Sequence, residues 1–176
     1  MSCALSQDYT LDCKDGIGGL KYMFIIKKGD ATLTESANTI TVIANASGKK
    51  WYKYELVKET ASFKETFNDN IQNGTTFYTQ EVEIILNKLQ TATRNEILIL
   101  GQGHFWIIVV DSNGKNWLLG YTNGIDRSGG SSETGKAYGD RNGYTISFQG
   151  KEPNLAIEVT SGAVGSNYGT LTTVGS

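Results

Sequence analysis

The run Gly129-Gly130-Ser131-Ser132-Glu133-Thr134-Gly135-Lys136-Ala137 carries the sharpest chemical suggestion in the chain. Gly130, four residues, then Gly135-Lys136 reproduce most of the pattern G-x-x-x-x-G-K-[ST]. In that pattern backbone amides and the lysine cradle a polyphosphate, and the hydroxyl holds magnesium. The chemistry needs a buried parallel strand before the loop and a helix N-terminus after it. Here Ala137 stands where the hydroxyl is required, and Tyr138-Gly139-Asp140-Arg141-Asn142-Gly143 lead into a strand-like run. The spacing therefore predicts a glycine-rich loop between strands, not a nucleotide site.

The other chemical candidates are thinner. Gly16-Ile17-Gly18-Gly19 begins like a dinucleotide fingerprint, but Lys21 takes the place of the third glycine and a strand follows. It reads as a tight turn. His104 is the single histidine, at the start of an apolar run and without a nucleophile motif near it, so it reads as structural. Asp111-Ser112-Asn113-Gly114 opens like a calcium loop, yet Thr122 occupies the twelfth position where a bidentate glutamate belongs. It reads as a hairpin turn. Cys3 and Cys13 read as reduced thiols, because a metal site needs more ligands than these residues supply. Trp51, Tyr52, Tyr54, Phe77 and Tyr78 suggest either a sugar-stacking platform or core and interface aromatics, and strand positions favour the second. No catalytic, cofactor or metal residue is expected.

The elements that must position these residues are mostly strands. Lys21 to Ile26 and His104 to Val110 are apolar on both faces, as central strands are. Thr39 to Ile43, Trp51 to Leu56, Trp117 to Tyr121, Tyr144 to Gln149 and Leu155 to Thr160 read as further strands. Phe63 to Asn70 and Thr75 to Leu86 read as the arms of a long hairpin turning at Gln72-Asn73-Gly74. In its second arm Val82, Ile84 and Leu86 share one face, and Glu81, Glu83 and Asn87 the other. One helix is expected from Thr93 to about Leu100, with capping-box spacing between Thr93 and Glu96 and with Gly101 and Gly103 to stop it. Asn123 to Asn142 reads as a long polar loop. The expectation is a mainly β fold: an antiparallel β-sandwich or barrel of about eight strands, with one flanking helix and a long hairpin.

Composition sets the outer bounds. The chain has 176 residues and a formal net charge of −2, without the basic excess that nucleic-acid binding requires. Its 21 glycines and one proline suit many turns. The start reads as lacking a signal peptide, and no apolar run approaches the roughly 18 residues of a membrane span. Residues 1–160 read as a single β domain. Residues 161–176 form an uncharged arm with Val164, Tyr168, Leu171 and Val174 spaced along it. Such a segment suits a disordered tail or an arm that orders on a neighbouring subunit.

Three stretches carry a resemblance. They are Cys13-Lys14-Asp15-Gly16-Ile17-Gly18-Gly19-Leu20-Lys21, then Thr60-Ala61-Ser62-Phe63 through Asn73-Gly74-Thr75-Thr76-Phe77-Tyr78 to Leu89-Gln90-Thr91-Ala92-Thr93-Arg94, and Gly129-Gly130-Ser131 through Gly139-Asp140-Arg141-Asn142-Gly143-Tyr144-Thr145. In order, over roughly residues 10 to 150, they resemble small virion proteins of tailed bacteriophages, especially of Bacteroidetes hosts. The architecture is similar to that of tail tube proteins. The resemblance implies a homo-oligomer, usually hexameric rings that stack into a tube, with inner strands joined into one barrel through which DNA passes. It implies other tail or neck proteins as partners, and a virion location after synthesis in the host bacterial cytoplasm. A tube, neck-ring or other head–tail position all fit the resemblance; a carbohydrate-binding sandwich is the alternative. On the tube reading Glu81 and Glu83 are candidate lumen residues. Lys136, Tyr138, Tyr168 and Leu171 are candidate inter-subunit residues.

Overall fold

The computed structural model describes Tyr9 and residues 16–160. Cys3, Cys13, Tyr168, Leu171 and the rest of the C-terminal arm lie outside the described residues. Among the described residues, eleven strands and one helix follow in the order β1 Leu20–Lys27, β2 Ala31–Ser36, β3 Thr39–Asn45, β4 Tyr52–Glu55, β5 Ser62–Asn70, β6 Thr75–Asn87, α1 Thr91–Leu100, β7 Phe105–Asp111, β8 Asn116–Leu119, β9 Asp126–Glu133, β10 Gly143–Glu152 and β11 Ile157–Val159. They form a seven-stranded sheet, β2-β3-β11-β8-β7-β1-β4, and a four-stranded sheet, β5-β6-β10-β9. All pairings are antiparallel except β11 with β3. The mainly β, sandwich-like expectation holds, and the barrel alternative does not. The end strands β2 and β4 do not pair, so no closed barrel forms.

The both-face apolar pattern of β1 and β7 has a direct physical consequence: the alternate residues serve two different cores. Met23, Ile25, Phe105, Ile107 and Val109 pack against Val82, Ile84, Ile146 and Phe148 of the four-stranded sheet. Phe24, Ile26, Trp106 and Ile108 face the other way, into a second cluster with Ile40, Ile43, Leu118 and Trp51. Among the described residues no second sheet covers that cluster; the seven-stranded sheet covers it by curling. In the strand order β3 and β4 lie five places apart, which a flat sheet would spread over about 24 Å. Yet Trp51 Nε1, just before β4, donates to Asn45 Oδ1 at the end of β3 at 3.0 Å.

Three local expectations change. Asn123 to Asn142 is not one long loop, because β9 runs through it, paired with β10 from Asp126↔Gln149 to Glu133↔Gly143. Its Gly/Ser composition has low strand propensity, and the pairing with β10 overrides that. The strand β2 went unread because its turn is Ala37-Asn38, both at positive φ (51° and 59°), between the paired Ser36 and Thr39. That is the geometry of a two-residue type I′ turn, whose usual signal is Asn-Gly. The helix starts at Thr91 with Gln90 as N-cap and no side-chain capping bond, so the Thr93/Glu96 spacing does not act as a capping box. The Asn-Gly hairpin does form: Ile71 to Gly74 connect the paired Asn70 and Thr75, and Gly74 takes φ 63°.

Candidate functional site

The phosphate-loop-like run is divided between a strand and a turn. Gly129 to Glu133 belong to β9, and residues 134–142 make the connection to β10. Gly130 is small because β10 is close; a Cβ there would lie 2.5 Å from the Thr145 carbonyl oxygen. Beyond Gly135, the amides of Lys136 and Ala137 point at an anion, but it is the protein's own. Both donate to Asp140 Oδ2 at 2.8 Å. Those hydrogen bonds, Ala137's foremost, hold the Asp140 carboxyl below its ordinary pKa. Lys136 and Tyr138 are both exposed at this hairpin tip.

Glu81 and Glu83 sit where their alternation places them, on the outer face of the four-stranded sheet. Val82 and Ile84 point into the core between the sheets. Gln149 Nε2 donates to Glu81 Oε1 at 2.5 Å, and Ser147 Oγ to Glu83 Oε2 at 3.4 Å. By register Lys64 stands opposite Glu81, and Ser62 opposite Glu83. This face is polar and both of its lateral borders are edge strands, β5 and β9. The residues of β9 are exposed apart from half-buried Arg127, whose Nη1 donates to the Ile97 carbonyl at 2.6 Å and ties α1 to that edge.

The hairpin of β5 and β6 carries exposed apolar side chains. Phe67 and Tyr78, paired across the strands, meet edge-to-face at 5.5 Å between centroids. Phe67 is 63% and Ile71, in the turn, 96% exposed. Lys151 Nζ lies 5.5 Å from the centroid of Phe77. Ile71 is the residue that strand reasoning passed over; its signal was an isolated isoleucine inside the polar stretch Asn68-Asp69-Asn70-Ile71-Gln72-Asn73.

The five aromatics do not make one platform. Trp51 is wholly buried in the second core and Tyr54 in the first, while Phe77 and Tyr78 belong to the other sheet. Burial, with the Glu96 carboxylate and Tyr52 adding to it, pushes the Tyr54 phenol up to about 12. His104 Nδ1 pairs with Asp126 Oδ1 at 2.5 Å on the exposed surface. Asp111 Oδ1 accepts from the amides of Asn113 and Lys115 at 2.8 and 2.9 Å, which makes Asp111 to Gly114 the turn between β7 and β8. Asn113 in turn accepts from Ile17 N and donates to the Ile17 carbonyl, fastening the Gly16–Gly19 turn to that hairpin. Among the described residues no group of three or more His, Cys, Asp or Glu could hold a metal ion.

Two buried polar residues escaped the sequence reading because nothing local marks them. Glu152, 3% exposed, accepts from the amides of Thr122, Asn123 and Gly124 at 2.9, 2.7 and 3.1 Å. It locks the loop between β8 and β9. Gln80 accepts from Gly120 N at 2.9 Å and donates to Glu65 Oε1 at 3.0 Å, and Glu65 accepts from Ala156 N at 2.7 Å. That chain of bonds joins the two sheets. Both residues satisfy buried backbone donors, as a packed fold requires.

No helix among the described residues is long and apolar enough to cross a membrane. No family model, curated protein or solved structure matches this chain.

Proposed function

We propose that the protein is a non-enzymatic virion building block that joins copies of itself edge to edge into rings, stacking as the tail tube of a bacteriophage. The observation that carries this reading is the four-stranded sheet. It has one face packed on the core, one face polar and solvated, and two edge strands that no other described strand covers. Open edges are normally blunted, because their unpaired N–H and C=O groups recruit other strands. A head-to-tail contact between β5 of one copy and β9 of the next is heterologous, so it closes into a ring when the rotation per copy divides a full turn. In such a ring the polar face becomes a continuous surface. Glu81 and Glu83 would then line the lumen and repel phosphates, so that DNA slides without binding. Lys136 and Tyr138, at the tip of the β9–β10 hairpin, would meet a neighbouring subunit, as would Tyr168 and Leu171 in the C-terminal arm. Other tail or neck proteins would cap the stack.

Negative-stain microscopy of the purified full chain tests the proposal. Rings or tubes of uniform diameter are expected. A particle that stays monomeric by sedimentation at high concentration would overturn it.

A further inference from the structure

We infer that Asn73 is a self-modification site: in the folded chain the Asn73-Gly74 linkage is converted by water to aspartate and isoaspartate, while the other Asn-Gly pairs are held against the same reaction. The chain carries four such pairs, beginning at Asn73, Asn113, Asn123 and Asn142. Asparagine is thermolabile, and a glycine after it leaves no Cβ to hinder attack on its side chain. The dipeptide is the same at all four positions, so the fold chooses among them.

The reaction needs no co-reactant but water. The Gly74 amide nitrogen, losing its proton to hydroxide, attacks Asn73 Cγ. A new N–Cγ bond closes a five-membered succinimide, the Cγ–Nδ2 bond breaks, and Nδ2 takes up a proton and leaves as ammonia. Water then adds to one of the two ring carbonyls. Opening at one carbonyl leaves aspartate at position 73. Opening at the other leaves isoaspartate, with the main chain running through the side-chain carboxyl. Either product carries a carboxylate where a neutral amide stood.

That chemistry sets two conditions. The glycine amide must be free to lose its proton, and the asparagine side chain must be free to turn toward it. Asn73 and Gly74 are exposed at the tip of the β5–β6 hairpin, and a Cβ on Gly74 would meet nothing within 4 Å. Among the described residues neither the Gly74 amide nor the Asn73 side chain has a hydrogen-bond partner; the main-chain N–H of Asn73 donates to Asn70 Oδ1 at 3.0 Å. The other pairs fail one condition or both. Asn113 Oδ1 accepts from Ile17 N at 2.9 Å, its Nδ2 donates to the Ile17 carbonyl at 3.0 Å, and Gly114 N donates to the Asp111 carbonyl at 3.2 Å. Asn123 Nδ2 donates to the Lys151 carbonyl at 2.7 Å, and Gly124 N donates to the Gly120 carbonyl at 2.9 Å and to Glu152 Oε1 at 3.1 Å. Asn142 Oδ1 accepts from Leu89 N at 3.2 Å, and Gly143 is buried in β10 between Asn87 and Glu133. At these positions the attack waits on a local opening of the fold. At Asn73 it does not, and the product adds a carboxylate to a tip that already carries Asp69 and the exposed Ile71.

The test uses the purified full chain, held in mildly alkaline buffer with and without urea and then digested at acidic pH. Peptide mass spectrometry follows the loss of ammonia and the later gain of water at each asparagine, and electron-transfer fragmentation separates isoaspartate from aspartate. In the folded chain Asn73 should convert about tenfold or more faster than Asn113, Asn123 and Asn142, because each of those must first give up its hydrogen bonds. In urea the four rates should converge. Asn73→Gln should remove the early change from its peptide and melt like the parent, because the residue is exposed. Folded-state rates that are equal at all four pairs, or led by another pair, would overturn the inference. So would the same order of rates persisting in urea, because it would place the cause in the local sequence and not in the fold.

Discussion

In the seven-stranded sheet the strands β1 and β7 are buried on both faces, with Ile25 and Ile107 in one core and Ile26 and Ile108 in the other. In the four-stranded sheet β6 and β10 bury only one face, and the side chains on the other remain at least partly exposed, with Glu81 and Glu83 among them. The first sheet shares one core with the second and curls to enclose the other core itself. The second borrows the first as its support and offers a polar face and two edges outward. Burial on both faces is therefore concentrated in one sheet, and the polar, solvated face in the other.

The largest expected effect contrasts the same kind of change in each region. Trp51→Ala removes a fully buried side chain and its bond to Asn45, and should lower stability by about 3–5 kcal/mol. Phe67→Ala, on the exposed hairpin, should cost less than about 1 kcal/mol in the free subunit. Urea denaturation of both variants gives the comparison directly. Equal losses would break the division between a stabilising and a presenting sheet.

An intermediate effect comes from alkaline pH. The Tyr54 phenol has a folded pKa raised to about 12, above its ordinary value near 10. A raised pKa in the fold means that its contribution is fully present below pH 10 and is lost as pH rises through about 12. The loss is on the order of 2 kcal/mol. Tyr54→Phe should flatten that part of the stability curve measured by chemical denaturation between pH 9 and about 12. An unchanged slope would show that the burial of β4 against α1 is not what holds the proton.

The smallest effect sharpens the account of the curled sheet's rim. Ala37 sits at φ 51°, a region disfavoured by its Cβ. Ala37→Gly should raise stability by about 0.5–1 kcal/mol, seen as a rise in melting temperature. A drop would mean that the β2–β3 turn is not of the type its dihedrals indicate.

Legibility in the sequence followed the physics of each segment. Strands with strong alternation or unbroken apolar runs, such as β1, β6, β7 and β10, announced themselves, and so did the Asn73-Gly74 and Asp111–Gly114 turns. The strand β9 did not, because Ser128-Gly129-Gly130-Ser131-Ser132 has neither apolar side chains nor strand propensity. Its strand state comes from hydrogen bonds to β10, which only the assembled sheet supplies. The candidate site was half legible. The polar face of Glu81 and Glu83 could be read from period-two alternation. The bonds of Gln80 to Glu65 and to the Gly120 amide could not, since those partners lie 15 and 40 residues away along the chain.

What the sequence determined alone is therefore whatever depends on neighbours along the chain: the hairpin, most strands, the absence of a helix after Lys136, and the polarity of each face. The tertiary structure decided what depends on partners far along the chain. It turned the amides of Lys136 and Ala137 toward Asp140 in place of a phosphate, buried Trp51 by curling a sheet, sank Glu152 among three amides, and set β5 and β9 at the borders of the four-stranded sheet. Local periodicity records which side of a strand avoids water. It does not record what arrives to cover that side, because that is settled by contacts whose partners the chain brings together only on folding.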